Sequence, residues 1–178
     1  TGNELMWQHQ CQNLQDICDP HVIVIHDQNT VDKMVNAVLA RAPTKFILVG
    51  HSLGGWVAQH IALKAPDRVS KLILIATWTG GEAPELQALN QRNIQRIKNG
   101  EATKLLDELR PMNVYSRHHD EKLMKKIKIS QDQFPESGMI CQLEAVLNGG
   151  DTEALLDQIK CPTLVIHGRH DSFFSLAD

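Results

Sequence analysis

The chain has 178 residues, with 18 Lys and Arg against 21 Asp and Glu, and its small negative charge of −3 excludes a strongly basic nucleic-acid-binding surface. No apolar run approaches the roughly 18 residues needed to span a bilayer, and none reads as a signal segment. Cys11, Cys18, Cys141 and Cys161 lack the C-x-x-C pairing of a zinc site or the spacing of a disulfide framework. The expectation is a cytoplasmic monomer or homodimer acting on a small, carbon-rich molecule, with no nucleic-acid or membrane partner.

Leu5, Met6, Trp7, Cys11 and Leu14 recur at near-helical spacing, which predicts an amphipathic helix laid on a sheet. His21-Val-Ile-Val-Ile-His26 is a β-branched run and reads as a buried parallel strand bracketed by two strand-end histidines. Asp27-Gln-Asn-Thr30 then offers capping oxygens for a helix that buries Val31, Met34, Val35, Val38 and Leu39 and stops at Pro43.

Lys45-Phe-Ile-Leu-Val-Gly-His-Ser-Leu-Gly-Gly55 follows, an apolar strand run that passes through a G-x-S-x-G pattern into an apolar-faced helix. A serine at such a corner is held in strained backbone angles that lift its hydroxyl clear of the sheet edge. Gly50 and Gly54 would allow strand and helix to crowd the turn. The amide of Leu53, at the positive end of the helix, can donate to an oxyanion growing on a substrate carbonyl. Phosphate binding in the P-loop manner needs a lysine that is absent here. The helix carries Val57, Ala58, Ile61, Ala62 and Ala65 on one stripe and closes at Pro66, with His60 off the stripe as a solvated residue. Lys71-Leu-Ile-Leu-Ile-Ala76 is the next buried strand, so strands alternate with helices as in an α/β fold with a largely parallel sheet.

From Thr79 to Lys160 the pattern is consecutive helices, with apolar sets at Leu86, Leu89, Ile94 and Ile97, at Leu105, Leu106 and Leu109, at Leu123, Met124 and Ile127, and at Met139, Ile140, Leu143, Val146 and Leu147. Ligands of open α/β sheets bind beyond the carboxyl ends of the strands, so helices inserted there read as a lid. Lys122, Lys125, Lys126 and Lys128 sit among acids as a solvated face. His118-His119-Asp120 is short of metal ligands, since neighbours on a helix diverge by about 100° and only Glu121 lies one turn from His118. Neither a metal nor a cofactor is expected. Trp56, beside the serine, and Trp78, at a strand end, are pocket candidates. A capped helix through Leu155, Leu156 and Ile159 leads to the strand Cys161-Pro-Thr-Leu-Val-Ile-His-Gly168, and Asp171 follows in the loop at its carboxyl end. A carboxylate there can hold an imidazole in the right tautomer and stabilise its cation.

Gly50-His-Ser-Leu-Gly-Gly55, Ala65-Pro-Asp-Arg-Val69 and Ile159-Lys-Cys-Pro-Thr-Leu-Val-Ile-His-Gly-Arg-His-Asp171 together resemble the α/β-hydrolase fold, and within it the small esterase and lactonase-like members with a helical cap. The resemblance covers nearly the whole chain. It implies a mostly parallel sheet flanked by helices, with a core from residues 1–78 and 159–178 and a cap from 79–158. It further implies Ser52 as nucleophile, Asp171 as triad acid, Leu53 and Thr1 as oxyanion donors, and His51 and Trp78 in the substrate pocket. The activity implied is that of a carboxylesterase-like serine hydrolase cleaving a small ester.

Two features depart from the family pattern. Its triad histidine follows the acid after a further helix and strand, about 17 residues on mean element lengths, whereas no histidine follows Asp171. Its second oxyanion donor follows a strand that lies between those assigned to 22–26 and 45–50, and that strand would precede Thr1. The expectation is an internal piece of a longer hydrolase, with the triad imidazole outside this sequence. The competing expectation, drawn from the same absence, is a non-catalytic ligand-binding member of the fold. A third is that His118, His119 or His170 substitutes as base, although His170 adjoins Asp171 too closely for an oriented relay.

Overall fold

The structure is a computed structural model that describes residues 3–81 and 84–174. Apolar, β-branched runs at Phe46–His51 (β1), Val69–Ile75 (β2) and Thr163–Ile166 (β3) pair in parallel in the order β1-β2-β3. Each crossover is helical, as parallel pairing requires. Helix α2 (Val31–Arg41) starts where Thr30 accepts the Lys33 N–H, and it packs on α3 (Leu53–Lys64), which covers β1 and β2. Met34, Val35, Trp56, Val57, Ile61 and Leu72 close this core at 0–1% exposure. Arg68 fixes the turn between α2 and β1, donating to the carbonyls of Leu39 (3.0 Å), Ala42 (2.9 Å), Pro43 (2.8 Å) and Thr44 (3.3 Å). One guanidinium thereby satisfies carbonyls that the end of α2 leaves unpaired.

Two expectations for the N-terminal part are corrected. Residues 21–26 form no strand: among the described residues no ladder partner lies beside them, and a β-branched run without a neighbour has nowhere to place its backbone hydrogen bonds. Side chains serve instead, Arg41 Nη1 donating to Val24 O (3.4 Å) and Gln142 Nε2 to Ile25 O (3.1 Å), while Ile23 and Ile25 still pack on the core. Helix α1 (Glu4–Leu14) buries no residue and lies against α6 (Glu121–Asp132) rather than the sheet, tied there by Asn3 Nδ2 to Ser130 O at 2.9 Å. Its apolar residues are too few for a sheet-facing stripe, and Leu5, Met6 and Leu14 stay exposed.

Between β2 and β3 lie α4 (Pro84–Lys98), α5 (Ala102–Leu109), α6 (Glu121–Asp132) and α7 (Glu136–Asn148), with 3-10 turns at Arg110–Asn113, Ser116–His118 and Glu153–Gln158. The last replaces the α-helix expected after Asp151, whose carboxylate accepts the Glu153 N–H at 2.8 Å. The insertion has its own core of Ile97, Ala102, Leu105, Leu106, Phe134 and Met139. On α4 the buried face is Asn90, Asn93, Ile94 and Ile97, not Leu86 and Leu89, which are exposed. A buried Arg110 guanidinium joins Asp107, Gln131 and Asp132 across α5 and α6. No helix among the described residues is long and apolar enough to cross a membrane, and all four cysteines are free.

The two ends of the insertion meet over α3 in a polar pin. Thr152 N–H donates to Thr79 O at 2.8 Å, Gln59 Nε2 to Trp78 O at 2.9 Å, and Trp56 Nε1 to Gly150 O at 3.2 Å. The Thr152 hydroxyl closes the set on Gln59 Oε1, at a site where Thr152 is 0% and Gln59 2% exposed. Thr152→Val keeps the shape but strands the Gln59 carbonyl, which costs about 1–3 kcal/mol for a buried unpaired acceptor. Urea unfolding of that variant is expected to give a loss of this size, and wild-type stability would contradict the pin.

Candidate active site

Strand β1 runs into α3 through one residue, Ser52, held at φ 52° and ψ −126°. Such angles cost a non-glycine residue on the order of 1–3 kcal/mol and persist only where the surroundings over-determine them. Here they do. The Ser52 N–H donates to Ile75 O (3.0 Å), and its carbonyl accepts from Thr77 Oγ1 (2.7 Å) and the Gly55 N–H (2.8 Å). A Cβ at Gly50 would stand 2.3 Å from Gly54 O, and one at Gly55 would stand 2.6 Å from the Thr77 side chain. Gly54, expected to share the crowding, has nothing within 4 Å of its Cβ position. The tight glycines are therefore Gly50 and Gly55.

Ser52 is half-buried, and among the described residues none hydrogen-bonds its hydroxyl. Leu53 begins α3, so its N–H has no partner within the helix and points out at the positive end of the helix dipole. Thr1, the other expected donor, lies outside the described residues.

The sheet register sets the position of Asp171. His51 pairs with Ile75 and Ile75 with Ile166, so Ser52 and His167 leave the sheet at the same level, two strands or about 10 Å apart. Asp171 lies in the loop after β3, on the rim that carries Ser52. Its Oδ1 accepts the N–H groups of Phe173 (2.8 Å) and Phe174 (3.0 Å), and its Oδ2 stands 3.9 Å from His167 Nε2. His167 Nε2–H donates to Phe174 O at 3.0 Å, which closes residues 167–174 into a ring. His51 senses the same carboxylate: burial pushes its imidazole below the ordinary value, with Asp171 acting in the opposite direction.

Sequence reasoning missed His167, although a histidine at a strand's carboxyl end four residues before Asp171 was a usable signal. It also missed Ala76, whose φ of 43° turns the chain so that Thr77 reaches the elbow. Trp78 is half-buried and stacks between Trp56 (5.9 Å) and Phe174 (4.8 Å). Trp56, a pocket candidate from sequence, is 1% exposed and serves the pin instead. His60, read as solvated, packs edge-on to Trp56 at 5.1 Å, and burial lowers its pKa. In the insertion, Asp120 caps α6 through the Leu123 N–H, and His119 Nε2 sits 2.8 Å from Val114 O. His118 and His170 flank Tyr115 at 6.0 and 4.4 Å. The described residues contain no group of three or more His, Cys, Asp or Glu set to hold a metal ion.

The family model for serine aminopeptidase S33 matches residues 24–178. The chain is a member of this serine hydrolase family, with the α/β-hydrolase fold. A pimeloyl-[acyl-carrier protein] methyl ester esterase of Vibrio campbellii is 30% identical to this α/β-hydrolase over 95% of the chain and 72% of the relative. The enzyme of the same name from Nitrosomonas europaea is 28% identical over 80% and 60%. The hydrolase thus spans between 60% and 72% of the length of these two curated relatives. Among solved structures it is similar to a thermophilic esterase from Thermogutta terrifontis, at TM-score 0.81 and 25% identity over 94% of this chain and 68% of that one. The enol-lactonase from Burkholderia xenovorans shares the fold, at TM-score 0.83 and 20% identity over 99% and 72%.

The glycine geometry separates two substitutions in one motif. Gly54→Ala is expected to keep or raise stability by up to about 1 kcal/mol, because alanine favours the helix and meets nothing. Gly50→Ala forces a methyl group into backbone and is expected to lose about 1–3 kcal/mol or more. Thermal and urea unfolding compare them directly, and equal effects would contradict the account of the elbow.

Proposed function

We propose that the whole protein is an esterase that forms an acyl-enzyme on Ser52. The observation that carries this reading is the strained serine at the start of α3, with its hydroxyl free of any described hydrogen bond and the Leu53 N–H beside it. Ser52 attacks the ester carbonyl, and the tetrahedral oxyanion is held by the Leu53 amide. The proton passes to an imidazole that Asp171 orients, and then to the departing alcohol; water releases the acid by the reverse steps. Among the described residues no histidine hydrogen-bonds the Ser52 hydroxyl. The insertion, residues 79–158, acts as a cap over the rim that carries Ser52 and Asp171, with His51 and Trp78 in the pocket.

The relatives named above act on the methyl ester of a pimeloyl group on an acyl-carrier protein. This supports an acyl ester with a small alcohol as the substrate class. A second reading, favoured by the lack of a described histidine bonded to Ser52 as base, is a hydrolase-fold protein that binds a ligand under the cap without acylation.

Turnover of a methyl ester by the full-length protein tests both readings. Ser52→Ala is expected to abolish the Ser52-dependent rate, and Asp171→Asn to lower kcat by on the order of 10⁴-fold. Unchanged hydrolysis in Ser52→Ala would remove the esterase reading. Wild-type protein that binds the ester without turnover would establish the second.

A further inference from the structure

The loop that carries Asp171 is tied to itself by the hydrogen bonds of Asp171 and His167, and among the described residues its two ring contacts outside itself both reach the helical insertion or its stalk. Before the acid, His170 stacks on Tyr115 of the segment between α5 and α6, with centroids 4.4 Å apart and planes 14° apart. After the acid, Phe174 stacks on Trp78, at 4.8 Å and 12°. Trp78 is itself fixed by the Gln59 amide on its carbonyl and by the Trp56 ring. Phe174 is more than a neighbour of the acid, because its N–H donates to Asp171 Oδ1 and its carbonyl accepts from His167. Any movement of the Phe174 ring is thus passed through one residue to the carboxylate.

We infer that Tyr115 and Trp78 are positioning residues for Asp171: the insertion, through two aromatic stacks that flank the acid, sets where the carboxylate stands relative to Ser52. This rests on the acyl-enzyme reading above and adds to it that the cap takes part in orienting the triad as well as in covering the site. Parallel ring pairs of this kind add a modest attraction beyond their buried area. That is enough to select one loop position among several and too little to hold the fold together. A misplacement near 1 Å in a catalytic constellation costs about a hundredfold in rate.

The test uses full-length protein and the methyl ester assay, with Ser52→Ala as the blank. Tyr115→Ala is expected to lower kcat by about ten- to a hundredfold with little change in KM, and Tyr115→Phe, which keeps the ring, to restore it. A carboxylate near the imidazole stabilises its cation and raises its pKa, so a displaced Asp171 lowers that pKa. The acidic limb of the kcat/KM profile is therefore expected to move to lower pH in Tyr115→Ala. His170→Ala is expected to give the same loss, and the double variant to add nothing to either. Trp78→Ala, which removes the ring from Phe174, is expected to move the same acidic limb to lower pH, and an unmoved limb would overturn its part in the inference. Full activity and an unmoved limb in Tyr115→Ala would overturn the inference, as would a loss that Tyr115→Phe fails to restore. A wild-type protein with no rate above the Ser52→Ala blank would count against the esterase reading instead. In that event the crystal structure of Tyr115→Ala decides: residues 168–174 displaced supports the positioning role, and unmoved overturns it.

Discussion

The backbone of Ser52 is the constraint on which the rest of the molecule depends. A residue with a Cβ does not rest at φ 52° and ψ −126° unless it is held there. It is held by β2, through the Ser52–Ile75 bond, by Thr77 on its carbonyl, and by the close approach that Gly50 and Gly55 permit. Strand, helix and the exit of β2 must all be in place before the turn exists. Local strain at the serine is therefore offset by the core that α3 forms with the sheet.

Parallel register extends the effect across the sheet. Because β1, β2 and β3 end level, the residues that leave their carboxyl ends share one rim, and the loop after β3 brings Asp171 to the side where Ser52 stands. The insertion leaves β2 at that rim and returns to Thr79 at Thr152, and there Gln59, Thr152 and Trp56 pin it to α3. Helix α3 thus carries three tasks: its first residue presents a free amide, its buried stripe fills the core, and its second turn anchors the insertion.

Much of this was legible in residue order. The elbow could be read because G-x-S-x-G stands between an apolar strand run and a helical stripe, and the place of Asp171 because a strand pattern precedes it by a short loop. What stayed hidden depends on partners far away in sequence. Residues 21–26 have strong local preference for a strand, yet pairing is a property of two segments, and the described chain offers them only side-chain donors. Helix α1 has near-helical spacing, but periodicity does not say which surface it meets. Gly54 looked as constrained as Gly50 because the motif spaces them evenly, while the crowding falls on Gly50, from the Gly54 backbone, and on Gly55, from Thr77. Tyr115 and His170 are 55 residues apart, and no pattern in either segment announces that their rings stack.

The central claim is that a reactive hydroxyl stands at residue 52 with the Leu53 amide aimed at the oxyanion. A crystal structure of the full-length protein after treatment with a fluorophosphonate tests it most directly. The account predicts phosphorus bonded to Ser52 Oγ and the phosphoryl oxygen within hydrogen-bond distance of the Leu53 nitrogen. An unmodified Ser52, or a phosphoryl oxygen turned away from Leu53, would contradict it.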